Sequence, residues 1–181
     1  MNVAARAAVE TDASAIAVIA EAIREELAPL RGGAVLLAQN DRRAMGRSGD
    51  ITAAEPSDTA STAAFVGTID DVVVGLATVS VEELLDGSRL GVIGELGVLL
   101  GARGVGVGEA MLDEVLAFCR HERCRGIDSY ALPGTRETKN FFETFGFTAR
   151  LLVVHTNLVD EPAKPNEAGG PGPDGTASER S

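Results

Sequence analysis

Three kinds of residue in this chain could carry chemistry: a cluster of alternating glycines, a few carboxylates and hydroxyls on strands, and two histidines. The glycines fall in the stretch Gly101-Ala-Arg-Gly-Val-Gly-Val-Gly-Glu109, directly before a run of helical character. A glycine inside a regular element costs about 1 kcal/mol relative to alanine. Gly104, Gly106 and Gly108 on alternate positions therefore need a reason. A strand, a glycine turn and a helix start together make an anion site. The first N–H groups of a helix have no internal partner, and the helix dipole adds partial positive charge there. Lacking a Cβ, glycine lets those groups come close to phosphate oxygens.

Two nucleotide readings fail on the residues. A P-loop needs Gly-Lys-Ser/Thr at the helix start, and here Gly108 is followed by Glu109. A dinucleotide fingerprint needs a glycine at the sixth position, which counted from Gly104 is Glu109, and no βαβ repeat with an acidic ribose partner accompanies it. The pattern that fits is Arg-x-x-Gly-x-Gly, met by Arg103, Gly106 and Gly108. A second motif follows downstream, Lys139-Asn-Phe-Phe-Glu-Thr-Phe-Gly-Phe147, an aromatic-rich helix ending in Gly-Phe.

With these two motifs the sequence resembles the GCN5-related N-acetyltransferases (GNAT), whose signature Q/R-x-x-G-x-G/A lies between the fourth strand and the following helix. The resemblance covers roughly residues 3–158. Glycines that merely let a helix pack tightly on a strand would not account for the second motif.

The resemblance implies acetyl-CoA as co-substrate and a primary amine, of a small molecule or a protein, as acceptor, with direct attack in a ternary complex. It implies that Val98, Leu99 and Leu100 pair with the pantetheine arm. The amides of Arg103, Gly104, Val105, Gly106, Val107, Gly108 and Glu109 would hold the pyrophosphate, with a backbone N–H near Val98 as oxyanion donor. Glu95 is the first candidate for the base and His155 the second; His121, among arginines at a helix end, reads as a surface residue. Two positions depart from the family. Phe142 stands where a tyrosine commonly protonates the departing thiolate, and Thr135 where an asparagine is frequent. Either the enzyme does without an acid, or Tyr130 or a water substitutes. A coenzyme A-binding regulatory or scaffold module is the alternative function, and Phe142 keeps it open.

The elements that must position these residues are legible in outline. Residues 3–9 read as a first strand. Ile16, Ile19, Ala20, Ile23 and Leu27 form one apolar stripe of a helix with Thr11 or Asp12 as N-cap, and a weaker helical segment covers 33–39. From 40 to 62 the composition turns to Gly, Ser, Asp, Thr and Pro without period, which reads as a long loop, mobile or lid-like; the resemblance implies that roughly 28–62 shapes the acceptor site. Two valine-rich runs around Asp70-Asp71 read as a β-hairpin, and residues 90–100 as another strand. The helix after the glycines has Gly126 as its stop. Residues 127–132 are a strand, 135–145 a helix ended by Gly146, and 148–158 a closing strand. The fold class is α/β, a mixed sheet flanked by helices.

Residues 1–159 make one domain, and the Pro/Gly-rich stretch 160–181, with almost no apolar side chains, reads as a disordered acidic tail. The net charge of −11 argues against nucleic acid as a partner. No apolar run approaches the ~20 residues that span a bilayer, and the N-terminus lacks a signal-peptide core. Cys119 and Cys124 have neither redox nor metal-ligand spacing, and no metal site is expected. The cytoplasm is the default location, a homodimer is open, and two lysines against fourteen arginines point to a bacterium with a GC-rich genome.

Overall fold

Valine-rich runs broken by turn residues build a five-stranded sheet: β1 (Val3–Ala7), β2 (Thr62–Ile69), β3 (Val72–Glu83), β4 (Arg89–Val98) and β5 (Cys124–Asp128), in that order across the sheet. The structure, a computed structural model, describes the backbone of residues 1–45 and 61–158 and the side chains of 1–40 and 61–158. The first four strands are antiparallel neighbours. Asp70 and Asp71 close the β2–β3 hairpin at φ 46° and 66°, the left-handed pair that matches strand twist in a tight hairpin. β5 runs parallel to β4, which requires a crossover. Helix α3 (Val107–His121) supplies it. The other helices are α1 (Ala13–Leu27), α2 (Gly33–Met45) and α4 (Arg136–Thr144).

Strand alternation divides the core between the two faces. Phe65, Ala77, Val79 and Ile93 pack against Met111, Leu112, Val115 and Cys119 of α3, with Phe142 of α4. Val66 and Leu76 pack against Ile16, Ile19 and Ile23, the predicted stripe of α1. The result is the mixed sheet with flanking helices that the sequence indicates. Strand glycines set how closely α3 approaches. A Cβ on Gly67 would lie 2.4 Å from Val107 Cγ1, and one on Gly75 2.7 Å from Met111 Cε.

Four expectations need correction. Residues 40–45 are helical, because α2 extends to Met45, so the expected loop begins later; its remainder up to 60, like the expected tail from 160, lies outside the described residues. Gly126 does not stop α3. Arg123 takes the left-handed turn at φ 56°, and Gly126 sits inside β5. β5 accordingly spans Cys124–Asp128, not 127–132. Residues 148–158 form no strand: they have no sheet partner among the described residues and are exposed. A β-prone run becomes a strand only when an edge accepts its hydrogen bonds.

Asp12 is the N-cap residue of α1, as one expectation had it, yet its carboxylate makes no cap bond to the helix. It is buried, and accepts Arg6 at 2.6 and 2.9 Å and the Val9 N–H at 2.9 Å, tying β1 to the start of α1. The Arg6 hydrogen bonds hold its carboxyl below the usual range. A depressed carboxyl contributes stability that is full above the ordinary carboxylate pKa and is lost as pH falls through the folded value.

Asp12→Asn is expected to cost about 1–3 kcal/mol at pH 7 in urea unfolding, with the difference from wild type shrinking below roughly pH 4. Gly67→Ala, forced against the stiff Val107, is expected to lose about 1–3 kcal/mol in the same measurement.

Candidate active site

β4 and β5 pair from Arg89–Cys124 to Val92–Asp128 and then part. β4 continues to Val98 with β3 on one side only. Alternate N–H and C=O groups on its other side therefore face a gap, and backbone polar groups left without a strand partner must find another one. The gap widens into a cleft of about 380 Å³ walled by α1, α2, the end of β4, the glycine turn, residues 129–135 and α4.

A β-bulge aims Glu95. The β3–β4 register passes from Thr78–Glu95 to Val79–Ile93, leaving Gly94 as the extra residue. Such an insertion bends the strand and re-aims the next side chain. The bulge is pinned from both sides. Thr78 Oγ1 accepts the Glu95 N–H at 2.9 Å, and Asn40 of α2 donates from Nδ2 to the Gly94 carbonyl at 3.0 Å. A Cβ on Gly94 would come within 2.9 Å of Thr78 Oγ1, so the pin requires glycine there. Glu95 lines the cleft, half-buried.

At the other end lies the glycine turn. A short turn over Leu100–Ala102 leads into Gly104 at φ 77° and Gly106 at φ 97°, conformations that L side chains rarely adopt. Gly106 is the N-cap residue of α3, and the first helical bond runs from Ala110 N–H to the Gly106 carbonyl at 3.0 Å. The N–H groups of Val107, Gly108 and Glu109 precede that bond. Around Gly104 and Gly106 a Cβ would meet nothing within 4 Å, so the turn borders open space. Gly108 differs: it is not in the left-handed region, and a Cβ there would meet the Phe141 ring at 3.4 Å, an ordinary contact. Two of the three glycines answer to backbone conformation, and neither conformation nor crowding explains the third.

Arg103 is a clamp. Its Nε donates to the Val98 carbonyl at 2.7 Å, and its two terminal nitrogens pair with Glu26 of α1 at 3.0 and 2.5 Å. The hydrogen bond from Arg103 lowers the Glu26 carboxyl below its usual range. The guanidinium thus ties the turn to β4 and α1, and the positive character of the turn comes from backbone N–H groups.

The cleft brings together most of the expected residues: Glu95, Val98, Arg103, Gly104, Val107, Gly108, Glu109, Tyr130, Thr135 and Phe142. Tyr130 stands just past the end of β5, partly exposed. Thr135 donates from Oγ1 to the Leu132 carbonyl at 2.7 Å. Phe142 is buried among Phe141 and Phe147, with ring centroids 5.3 and 5.1 Å away. Leu99, Leu100, Val105, Gly106 and His155 are not on the cleft lining, although Gly106 lies between lining residues as the N-cap of α3. The Leu99 N–H is already bonded to the Val74 carbonyl at 2.9 Å, and Leu100 is exposed in the turn. His155 lies on the exposed segment after α4, its ring 3.0 Å from Asn157 Oδ1. Burial pushes the Cys119 thiol up to about 12, so it supplies no nucleophile at neutral pH. Sequence reasoning missed Glu26, Thr78 and Asn40. None carries a local signal, since each acts only through a residue distant in the chain.

The profile of the Acetyltransferase (GNAT) family matches residues 34–147. No curated protein sequence matches the chain. Among solved structures, an acetyltransferase of Trypanosoma brucei is 21% identical with a TM-score of 0.57, over 87% of this chain and 100% of that one. A putative acetyltransferase from Pyrococcus furiosus is 16% identical with a TM-score of 0.62, over 87% and 100%. AAC(6')-Iy, solved with the bisubstrate analogue CoA-S-monomethyl-acetylneamine, is 19% identical with a TM-score of 0.59, over 87% and 98%. At these identities the neighbours speak to the fold, and the profile match over most of the described core speaks to the family. The parted strands, the left-handed glycine turn and the Arg103 motif sit where that profile matches: the chain belongs to the GNAT acetyltransferase family and is an acyltransferase.

Proposed function

We propose that this protein transfers the acetyl group of acetyl-CoA to a primary amine by direct attack while both substrates are bound. The observation that carries this reading is the continuity of one cleft, from the open glycine turn at the start of α3 to Glu95 at the β4 bulge. In this reading the pyrophosphate rests on the N–H groups of Gly104 to Glu109, and the pantetheine arm lies along the free side of β4 near Val98.

The chemistry needs a base, an oxyanion donor and a fate for the thiolate. A lysine-like amine has a pKa near 10.4, so only about one in a few thousand is unprotonated at pH 7. Glu95 takes that proton, directly or through a water. The amine nitrogen then attacks the acetyl carbon, and a β4 N–H near Val98 stabilises the oxyanion, a contribution worth a few kcal/mol. The nitrogen, cationic once bonded, gives its second proton to water as the C–S bond breaks, and the thiolate takes a proton from Tyr130 or from water. Phe142 has none to give. A thiolate leaves tolerably without an acid, since its own pKa is near 8.5. His155, away from the cleft, has no part in this scheme.

The lining that α1 and α2 give the cleft is mostly aliphatic, with Ile23, Leu27, Leu36 and Leu37 beside Glu26 and Asn40, and Leu132 adds to it. These surroundings favour an amine with an apolar body. A second reading, a coenzyme A-binding module with weak or no transfer, is favoured by one observation: Phe142 fills the cleft wall with a side chain that cannot donate.

Calorimetric titration with acetyl-CoA is expected to show micromolar binding, weakened at least about tenfold in Gly106→Asp and less in Gly106→Ala, which adds strain without charge. No binding by folded wild type would overturn the proposal. With an amine panel, Glu95→Gln is expected to lower kcat by about 10²–10⁴ while leaving acetyl-CoA affinity intact. Binding without turnover across the panel would favour the module.

A further inference from the structure

The cleft that would take a pyrophosphate is short of cations. Among the described residues that line it, four are carboxylates, Glu26, Glu95, Glu109 and Glu137, and the one basic side chain is Arg103. That cation is already engaged. Its two terminal nitrogens form a fork on the Glu26 carboxylate, at 3.0 Å to Oε1 and 2.5 Å to Oε2. These bonds, together with the charge of Glu137 on α4, hold the guanidinium pKa above its usual value. A guanidinium fork receives a carboxylate and a phosphate by the same geometry, two N–H donors on two oxygens. Glu26 thus sits on Arg103 in the way a phosphate would.

The same guanidinium also closes the end of β4. The Leu99 N–H is bonded to the Val74 carbonyl of β3 at 2.9 Å, so the backbone groups of Val98 face the other way. There the Val98 carbonyl accepts Arg103 Nε at 2.7 Å. One side chain therefore covers two contacts that a CoA molecule can use, a cation for its pyrophosphate and a carbonyl for an amide of its arm. The cover is light. The Glu26 and Arg103 side chains are 47% and 39% exposed, and an ion pair so open to water costs little to break.

We propose that Glu26 competes with the pyrophosphate of CoA for Arg103, and that this competition sets how tightly the cofactor is held; the proposal rests on the acetyl-CoA reading above. Binding moves the fork from the carboxylate to the pyrophosphate and frees the Val98 carbonyl, and departure reverses both. No covalent bond changes. Acetyl-CoA and its product CoA carry the same pyrophosphate, so Glu26 weakens the two alike. What it takes from affinity it returns as faster release of the product, because affinity changes within one site fall mostly on the rate of dissociation.

The test is calorimetric titration of the full chain with acetyl-CoA and with CoA, without an acceptor amine. Glu26→Gln keeps the shape and loses the charge, and it is expected to bind both ligands about five- to tenfold more tightly than wild type. Glu26→Ala is expected to gain likewise. A gain is the readout that a merely structural role for Glu26 would not give. Glu137→Gln removes a carboxylate that acts on Arg103 by charge, and its gain is expected to stay below about twofold. Unchanged or weaker binding in both Glu26 variants would overturn the proposal, the latter by making Glu26 a support of the turn. An equal gain in Glu137→Gln would overturn it too, since net charge and not the exchange would then decide. So would a gain confined to acetyl-CoA. In these cases wild type still binds and the acetyl-CoA reading stands, whereas no binding by wild type or any variant would remove both.

Discussion

Past Val92 and Asp128 the two parallel strands separate, and the candidate site depends on that separation. A strand inside a sheet spends its N–H and C=O groups on its neighbours. From Ile93 to Val98, β4 keeps one neighbour and loses the other, so its outward backbone groups, apart from the Gly94 and Val98 carbonyls held by Asn40 and Arg103, have no strand partner. An extended thioester arm with amides of its own is the kind of ligand that such an edge accepts. The bulge at Gly94 falls on the same stretch, just after the separation, and turns Glu95 into the opening.

Packing on both faces keeps the gap open. α3 sits close against one face because Gly67 and Gly75 leave no side chain in its way, and the same closeness fixes where its N-terminus emerges. α1 sits against the other face and sends Glu26 to Arg103. Arg103 in turn holds the Val98 carbonyl, so strand end, turn and α1 are joined at one guanidinium. The glycine turn is thus held by neighbours while Gly104 and Gly106 border open space. An anion bound there meets donors already in position, and little ordering remains to oppose binding.

The sheet has two further edges, and they differ. β1 ends the sheet on one side as a five-residue strand whose Arg6 is held by Asp12. β5 is as short, its charges are likewise paired within the chain, and an uncovered apolar segment begins at its end.

Local rules determined much of this from sequence alone. The apolar stripe of α1, the Asp70-Asp71 hairpin and the glycine turn each rest on a preference confined to a few neighbouring residues, and the structure has all three. The turn was legible because only glycine is comfortable at φ 77° and 97°. Where a local preference had rivals, the sequence misled: Arg123, not Gly126, accepts the left-handed turn after α3, and β5 begins three residues earlier as a result. Other features had no local signal at all. Gly91, Gly94 and Gly97 look alike along β4, yet a Cβ at Gly91 would strike Cys119, one at Gly97 would strike Ile23, and only Gly94 is the bulge. What separates them is which residue of another element lies opposite. The closing run of leucines and valines shows the same division. Its composition makes it fit to be a strand, but strand formation needs a partner's hydrogen bonds, and those belong to tertiary structure.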